Sequence, residues 1–447
     1  MQMITNEYLD RVRKRYWSAR SYLLLARQLL RYSNRGFVAH LAADYRKYLC
    51  NRVGPVEGQT RTRAEAAVRW LMKAQDSTPD DGVSLGYFPC DETGTADGWR
   101  PSYPETTGYI IPSLLEFAAR FNTALVRERA LRMAVWETTI QMPSGAVQGG
   151  PVCSPEEQEP AAFNTGMVLH GYSAAYRATN TGKFLEFGRR AADFLVKDLT
   201  EDGHFQTHGK FVSQHRYKTY NCLCAWPLYA FGQDTCQETY RRVAVKIIEA
   251  TIKQQYANGW FPNNCFTNSD APISHTICYT LQGILEVGAL AGREDFVTAA
   301  QRGTDPLLRN ISPEGFLRGS FRMDWSPGLW SSCLTGNAQI AVICYRLYEQ
   351  TGDSKYKTAA DLLVNYLKAL QVLDSDNPNI NGAIAGSFPL LGGYMRAGYP
   401  NWATKYFLDA LLLQNRFQVD SEKRGTSHCG MTSCNKTAFD SLTSYHS

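Results

Sequence analysis

Four residues of this sequence have the side chains that proton transfer uses, and each stands near the start of a segment with helical character. Glu105 opens ETTGYIIPSLLEF, Tyr220 lies in KTYNCLCAW, and His275 and Tyr279 sit one helical turn apart in SHTICYTLQ. A carboxyl, an imidazole and two phenols can supply a base on one face of a substrate and an acid on the other. The same segments carry cations, amides and aromatic rings. The cations are Arg100, Arg216, Lys218 and Arg322, and the amides are Asn164, Asn221, Asn337 and Asn401. The rings are Trp99, Tyr103, Trp325, Tyr399 and Trp402, with Asp324 as a second carboxylate candidate. Rings stack on the C–H faces of sugars, and Arg or Lys pairs with carboxylates. A uronic or other anionic carbohydrate is the guest these residues suit.

Each residue also has a purely structural reading. Asn164 and Asn337 can cap helices, and Glu105 gains from the dipole of a helix start. His275 can be a satisfied core histidine, and Tyr220 and Tyr279 can be core aromatics. Hydrolysis usually uses two carboxyl groups, for which Glu105 and Asp324 are the candidates. Proton abstraction beside a carboxylate needs a base, an acid and a cation for the enediolate, which this set supplies in full.

The elements that position these residues repeat. After residue 56 a unit recurs: an amphipathic helix, a turn glycine, a polar loop and a more apolar helix. The turn glycines are Gly82, Gly145, Gly203, Gly259, Gly315 and Gly382, spaced by 63, 58, 56, 56 and 67 residues. A turn that ends a helix favours a residue able to take positive φ, hence glycine. In 238–256 Tyr240, Ala244, Ile247 and Ile248 form one stripe, and Arg241, Lys246 and Glu249 lie opposite. That helix has one wet side. The segments 105–120, 161–178, 218–231, 275–290, 333–350 and 401–415 are apolar nearly all round, as buried helices are. Six such outer and inner pairs imply an all-α, closed (α/α)6 toroid, with an open solenoid as the alternative. In a ring, the polar loops and the first turns of the inner helices gather at one mouth.

The remaining chain is read as two further parts. Residues 1–55 hold 11 Lys and Arg against 3 Asp and Glu, a net of +8, while the rest of the chain is −3. Arg11, Arg13, Lys14, Arg15, Arg20, Arg27 and Arg31 interleave with Trp17, Leu23, Leu24, Leu29 and Leu30. This reads as a basic amphipathic helical extension, docked on the outside of the toroid domain of residues 56–420 and able to touch an anionic membrane surface. Residues 421–447 read as a polar tail. No apolar run suits a membrane span and the first residues do not resemble an export signal, so a cytoplasmic protein is expected, at most peripheral to the inner membrane. The twelve cysteines are then reduced thiols. No Walker A, GxGxxG or GxSxG motif occurs, and no metal or other cofactor is expected; nor is nucleic acid a partner. QQYANGWF and AQDSTPDDG look like the Gln…Gly-Trp turns of terpene cyclases, which fasten helices and do no chemistry.

Three longer stretches carry a resemblance. RPSYPETTGYIIPSLLEFA, NGWFPNNC with SHTICYTLQGILE, and AIAGSFPLLGGYMRAGYPNWATKYFLDALLL resemble a bacterial family of polysaccharide-biosynthesis proteins of the VpsJ type, encoded with exopolysaccharide genes. The family is similar to the C-terminal α/α domain of D-glucuronyl C5-epimerases and, more distantly, to unsaturated glucuronyl hydrolases. The resemblance spans about residues 60–415. It implies uronic-sugar chemistry in surface-polysaccharide assembly, on a lipid-linked or polymeric carbohydrate. Three classes stay open at this point: a sugar epimerase or lyase, a glycoside hydrolase of the unsaturated-uronyl type, and a non-catalytic glycan-binding or scaffold protein.

Overall fold

The computed structural model describes residues 35–50, 53–89, 98–209, 211, 217–266 and 270–431, with side chains over 38–420 of these. Thirteen α-helices occur among the described residues. Helix α1, Arg35–Leu49, precedes the ring. Six outer helices follow in alternation with inner ones: α2 (Thr60–Asp76), α4 (Ala124–Ile140), α6 (Gly182–Asp198), α8 (Glu238–Ile252), α10 (Glu294–Leu308) and α12 (Ser354–Leu370). The inner helices are α3 (Pro104–Phe121), α5 (Ala162–Thr179), α7 (Ala225–Asp234), α9 (Ser274–Ala291), α11 (Leu334–Thr351) and α13 (Asn401–Met431).

Burial separates the two classes as the residue pattern requires. Every residue of α9 from Ser274 to Gly288 is buried, whereas α8 buries only Tyr240, Ala244, Ile247, Ile248 and Thr251. Each inner helix packs on the next, and α13 returns to α3. The ring is therefore a closed (α/α)6 toroid. The first outer helix, α2, packs on the last inner helix, α13, so the two ends of the repeat array lock together.

The recurrent glycines explain the closure. Gly145, Gly203, Gly259, Gly315 and Gly382 all have positive φ, from 86° to 99°. Each backs onto the next outer helix. A Cβ on Gly145 would lie 2.3 Å from the Arg190 carbonyl oxygen, and one on Gly259 2.1 Å from that of Arg302. At Gly382 the obstructing atom is the carbonyl oxygen of Ala66, 2.2 Å away, in the first outer helix. In the first unit the left-handed residue is Asp81 (φ 68°) rather than Gly82, whose missing Cβ makes room for Trp136. Glutamine amides fasten the same joints. Gln255 Nε2 donates to the carbonyls of Gly259 (3.2 Å) and Ala299 (2.9 Å), and Gln371 Nε2 to those of Gly382 (3.0 Å) and Arg63 (3.1 Å). Gln75 and Gln141 repeat the arrangement.

Turns from inner to outer helix are short and use left-handed Asn122, Asn180, Gly292 and Gly352. The long connections, from outer to inner helix, gather on the opposite face. Threonines in the first inner turns anchor them: Thr107 Oγ1 accepts from Val83 N (2.9 Å), Thr165 Oγ1 from Val147 N (2.9 Å) and Thr404 Oγ1 from Ile384 N (3.0 Å). Two short antiparallel ladders join neighbouring loops: β1 (Gly86–Tyr87) with β4 (Tyr399–Pro400), and β2 (Ser332–Cys333) with β3 (Ser387–Phe388).

One inner element departs from expectation. The third inner element is a 3-10 turn over Thr219–Cys224 followed by α7, not one helix from 218. Pro227 explains the break: it has no N–H to give the Leu223 carbonyl, and its ring crowds that carbonyl. Helix α1, the described part of the basic extension, packs on the loop face of the toroid. Tyr48 packs on Phe316, Trp330 and Phe388, and Asp44 Oδ2 accepts from Leu390 N at 2.6 Å. Arg46 and Lys47 remain exposed. Of the extension's other basic residues, Arg35 opens α1 and the rest lie outside the described residues; the expected polar tail of 421–447 begins as helix, since α13 runs to Met431, and the remainder lies outside them. No described helix is long and apolar enough to cross a membrane. Cys50, Cys153, Cys222, Cys224, Cys236, Cys278, Cys333 and Cys344 are free thiols.

Candidate active site

A narrow cavity of about 10 Å³, room for about one water molecule, lies on the loop face between the first four units. Its floor holds Glu105 of α3, Asn164 of α5, and Tyr220 and Asn221 of the 3-10 turn, all buried. Phe163 forms one wall, and half-buried His208, Phe211 and Phe266 form the rim. The cavity lies away from α1, which covers loops of the fifth and sixth units.

Local sequence places each floor residue. Pro104 occupies the first position of α3, where its missing N–H is harmless, and Glu105 follows in the first turn. The hydroxyl of Tyr103, in extended backbone before the helix, donates to Glu105 Oε2 at 2.8 Å. Burial pushes the Glu105 carboxyl up to about 7, partly opposed by that hydrogen bond. Its proton is therefore exchangeable near neutral pH, as an acid or base requires. The phenols of Tyr103 and Tyr220 are pushed well up by burial and stay protonated. Asn164 lies inside α5 rather than at its cap, which is Ala161. Both polar atoms of its amide are buried with no hydrogen-bond partner, as is Asn221 Oδ1. Unpartnered buried polar atoms each cost about 1–3 kcal/mol, so these amides are costly to the fold. Asn221 Nδ2 contacts His208 Nδ1 at 3.2 Å.

An aromatic cluster lies against the floor. Phe163 contacts Tyr220 (5.3 Å between centroids) and Tyr279 (4.8 Å), and Tyr220 contacts Phe266 (5.4 Å). His275 lies 4.3 Å from Tyr279, and its Nδ1 meets Gln339 Oε1 at 2.5 Å. Burial pulls this imidazole down to about 3. It is neutral at physiological pH, and with the proton on Nδ1 its Nε2 is a lone-pair acceptor. Tyr279 is fully buried and stays protonated. Lys405 pairs with Asp409 at 2.7 Å and lies over the Tyr109 and Tyr406 rings.

The described cation candidates are engaged with other partners. Lys218 is buried, and its amine donates to the backbone carbonyls of Phe211 and, at 2.6 Å, Phe266. Burial lowers it to about 8. It ties two rim residues together by their main chains. Arg322 donates to its own loop, at Pro327 O (2.5 Å), and is exposed. Arg100 packs over Phe88 (5.4 Å). Arg216 lies outside the described residues.

The remaining candidates have local tasks. Asp324 is exposed and held below the usual carboxylate range by hydrogen bonds from Ser326. Trp325 has φ 64°, packs on Trp260 and donates to Asn258 O. Trp99 packs between Trp70 and Tyr87. Asn401 Nδ2 donates to Ser84 O and Thr106 Oγ1, fastening the first loop to the sixth unit. Tyr399 is buried in β4, and Trp402 Nε1 donates to Tyr394 OH at 2.9 Å. Asn337 is buried inside α11, away from its cap, with neither amide atom partnered. Of the sequence candidates, Glu105, Asn164, Tyr220 and Asn221 meet in the cavity. His208, Phe163, Phe211 and Phe266 join them without having been singled out by sequence. His208 was legible as one of only eight histidines and as part of a mouth loop.

No known protein family matches the chain by sequence, and no curated protein matches it. Solved structures match by fold. An unsaturated glucuronyl hydrolase specific for heparin aligns with a TM-score of 0.63 at 16% identity, over 80% of this chain and 97% of that one. Cellobiose 2-epimerase from Bacillus thermoamylovorans B4167 aligns at 0.58 and 10% identity, over 84% and 98%. A D-mannose isomerase aligns at 0.59 and 13%, over 79% and 98%. At these identities the likeness establishes the (α/α)6 toroid. The proteins it groups with this chain are sugar-processing enzymes.

Proposed function

We propose that the protein is a sugar-processing enzyme that transfers protons at a carbon beside a carbonyl or carboxylate, in an epimerase- or lyase-type reaction centred on Glu105. The observation that carries this reading is one buried carboxyl, raised to about 7, on the floor of an aromatic-walled cavity. As the carboxylate, Glu105 takes the C–H proton, and the electron pair moves onto the neighbouring oxygen. In epimerisation a proton then returns to the opposite face from His208. Glu105 ends protonated and His208 deprotonated, and solvent resets both. The hydroxyl of Tyr103 holds Glu105 in place. Resemblance to polysaccharide-biosynthesis proteins supports a substrate from surface-polysaccharide assembly, with a uronic sugar among the first to test. A cytoplasmic enzyme touching the inner membrane through residues 1–55 belongs to the same proposal.

The likeness to unsaturated glucuronyl hydrolases favours a second reading, glycoside hydrolysis. Two-carboxyl hydrolysis would pair Glu105 with another carboxyl. Asp324, the sequence candidate, is exposed on a loop of the fifth unit and outside the cavity lining. Incubating mannose, cellobiose and uronic oligosaccharides with the protein in deuterated water separates the readings. Carbon-bound deuterium or a new C=C absorbance is the expected outcome. New reducing ends alone would establish hydrolysis, and sugar binding with none of these signals would leave a glycan-binding protein.

A further inference from the structure

The mouth of the toroid is filled rather than open. Beside Glu105 there are about 10 Å³, whereas small-molecule sites usually measure roughly 300 Å³ or more. A sugar reaches Glu105 only if a side chain moves. Tyr394 belongs to the loop of residues 389–398 ahead of α13, yet its side chain is buried among the starts of inner helices. Its ring lies 5.9 Å from that of His275 in α9, and its hydroxyl accepts from Trp402 Nε1 in α13 at 2.9 Å. Trp402 in turn packs edge-on against Tyr103, whose hydroxyl holds Glu105. Tyr103, His275 and Trp402 sit at or beside the first turns of inner helices, which the ring fixes. Tyr394 is carried instead by a strained loop. Met395 and Ala397 have φ of 44° and 55°, the left-handed region that a Cβ disfavours. Such strain persists where neighbours enforce it, and it gathers at clamps and switch regions. One enforcing neighbour is α1. Its Asp44 Oδ2 accepts from Leu390 N at 2.6 Å, and its Tyr48 packs on Phe388, just before the loop. Its His40 lies 6.3 Å from Tyr399, just after the loop. Helix α1 thus grips both ends of the segment that carries Tyr394. Burial raises Asp44 to about 7 and lowers His40 to about 4, so docking disfavours the charged form of each and loosens that grip.

We propose that α1 and the 389–398 loop form an autoinhibitory lid, with Tyr394 as the plug of the toroid mouth, and that the way to Glu105 opens when the two lift together. This deepens the proposed reading of the Glu105 site and rests on it. The loop can lift as one piece, because Gly392 N bonds Pro389 O and Ala397 N bonds Leu390 O within it. Lifting breaks the bonds of Gly393 N to Ser331 Oγ, of Tyr394 N to Ser387 Oγ and of Trp402 Nε1 to the Tyr394 hydroxyl. A tyrosine ring and a pyranose ring are of similar size, so the place that Tyr394 vacates fits one sugar against Trp402 and His275.

Amide hydrogen exchange and calorimetric titration of the full-length protein test this, using wild type, Asp44→Ala and Tyr394→Ala. The sugars are mannose, cellobiose and an unsaturated glucuronyl disaccharide. Asp44→Ala loosens the grip without changing a residue of the ring. Amides of 389–398 should then exchange about tenfold faster, while those of α9 and α11 keep their wild-type rates. At least one sugar should bind Asp44→Ala more tightly by about the same factor, because apparent affinity scales with the open fraction. Tyr394→Ala lacks the plug and should bind that sugar at least as tightly as Asp44→Ala does. Wild-type exchange of 389–398 in Asp44→Ala overturns the proposal, and so does faster exchange with unchanged affinity. Weaker binding by Tyr394→Ala at a wild-type thermal midpoint also overturns it, since the tyrosine would then be a sugar contact. If that variant has a lowered midpoint, Asp44→Ala decides alone. Absence of binding by all three sugars to all three proteins overturns the proposal too. Deuterium incorporation is read separately. If the variants bind more tightly and no protein incorporates deuterium, the Glu105 reading falls and the lid stands. If wild type incorporates deuterium and neither variant changes that rate or the affinity, the lid falls and the Glu105 reading stands.

Discussion

Two buried glutamates show how environment, rather than residue type, assigns a task. Glu105 has a tyrosine hydroxyl on one oxygen and a cavity beside it. Glu137 in α4 is equally buried, has neither oxygen hydrogen-bonded, and is raised well above the carboxylate range by burial and the nearby Asp80. A folded pKa above the unfolded one means that the native state binds the proton more tightly. The ionised form then costs stability, and that cost grows as pH rises from the unfolded value of about 4.3 toward the folded one. Glu137→Gln is therefore expected to raise the thermal midpoint at pH 8. The gain should shrink toward zero at pH 3, where both states of the wild type are protonated. Thermal unfolding at the two pH values checks this, and an equal shift at both would refute the assigned cause. The cation candidates teach a related lesson. Lys218 looked suited to a sugar carboxylate, yet its donors lie on the carbonyls of Phe211 and Phe266. Side-chain partners across loops have no period in the sequence, so this could not be read from it.

The elements themselves were largely legible. Outer helices alternate wet and dry faces, inner helices are apolar all round, and turn glycines recur, because each repeat solves the same packing problem. The 3-10 turn before α7 is the departure, and Pro227 was its available signal. Its consequence is local: it brings Tyr220 and Asn221 to the cavity floor. The joint between α3 and α5 is similarly exacting. A Cβ on Gly108 would lie 2.6 Å from Val168 Cα, and one on Gly171 2.6 Å from the Gly108 carbonyl oxygen. That carbonyl lacks its usual helical donor because residue 112 is proline. These contacts set the spacing between the helices that carry Glu105 and Asn164. Gly108→Ala should destabilise the protein by about 1–3 kcal/mol, the range for overpacking a core. It should also lower turnover more than a stability loss of that size explains. Denaturant unfolding and turnover on the same sample check both, and unchanged values for both would show that α3 and α5 can part without consequence.

For the whole molecule, closure joins residues distant in sequence. Gly382 of the sixth unit meets Ala66 of the first outer helix, and Gln371 reaches the Arg63 carbonyl there. Lys368 Nζ donates to Gly58 O at 2.7 Å on the same seam. The period of the glycines suggested a ring, but nothing in a repeat states which helix meets the first. That pairing follows from six units completing a circle. Gly382→Val combines a positive-φ strain with a backbone clash, and a loss of about 2–4 kcal/mol is expected. Because the seam holds both ends of the array, unfolding should remain one transition at a lower temperature. Calorimetry would contradict the closed ring if only a minor early transition appeared, with the main one unmoved.

The central claim is that Glu105 moves a proton at a sugar carbon. It is tested most directly by the pH dependence of deuterium incorporation into a bound sugar, for wild type and Glu105→Gln. With Glu105 as the base, incorporation by wild type should rise with pH through about 7, where the carboxyl ionises. In Glu105→Gln it should fall by roughly 10²–10⁴ and lose that rise, while sugar binding persists. Incorporation by Glu105→Gln at the wild-type rate, with the same pH profile, would contradict the account.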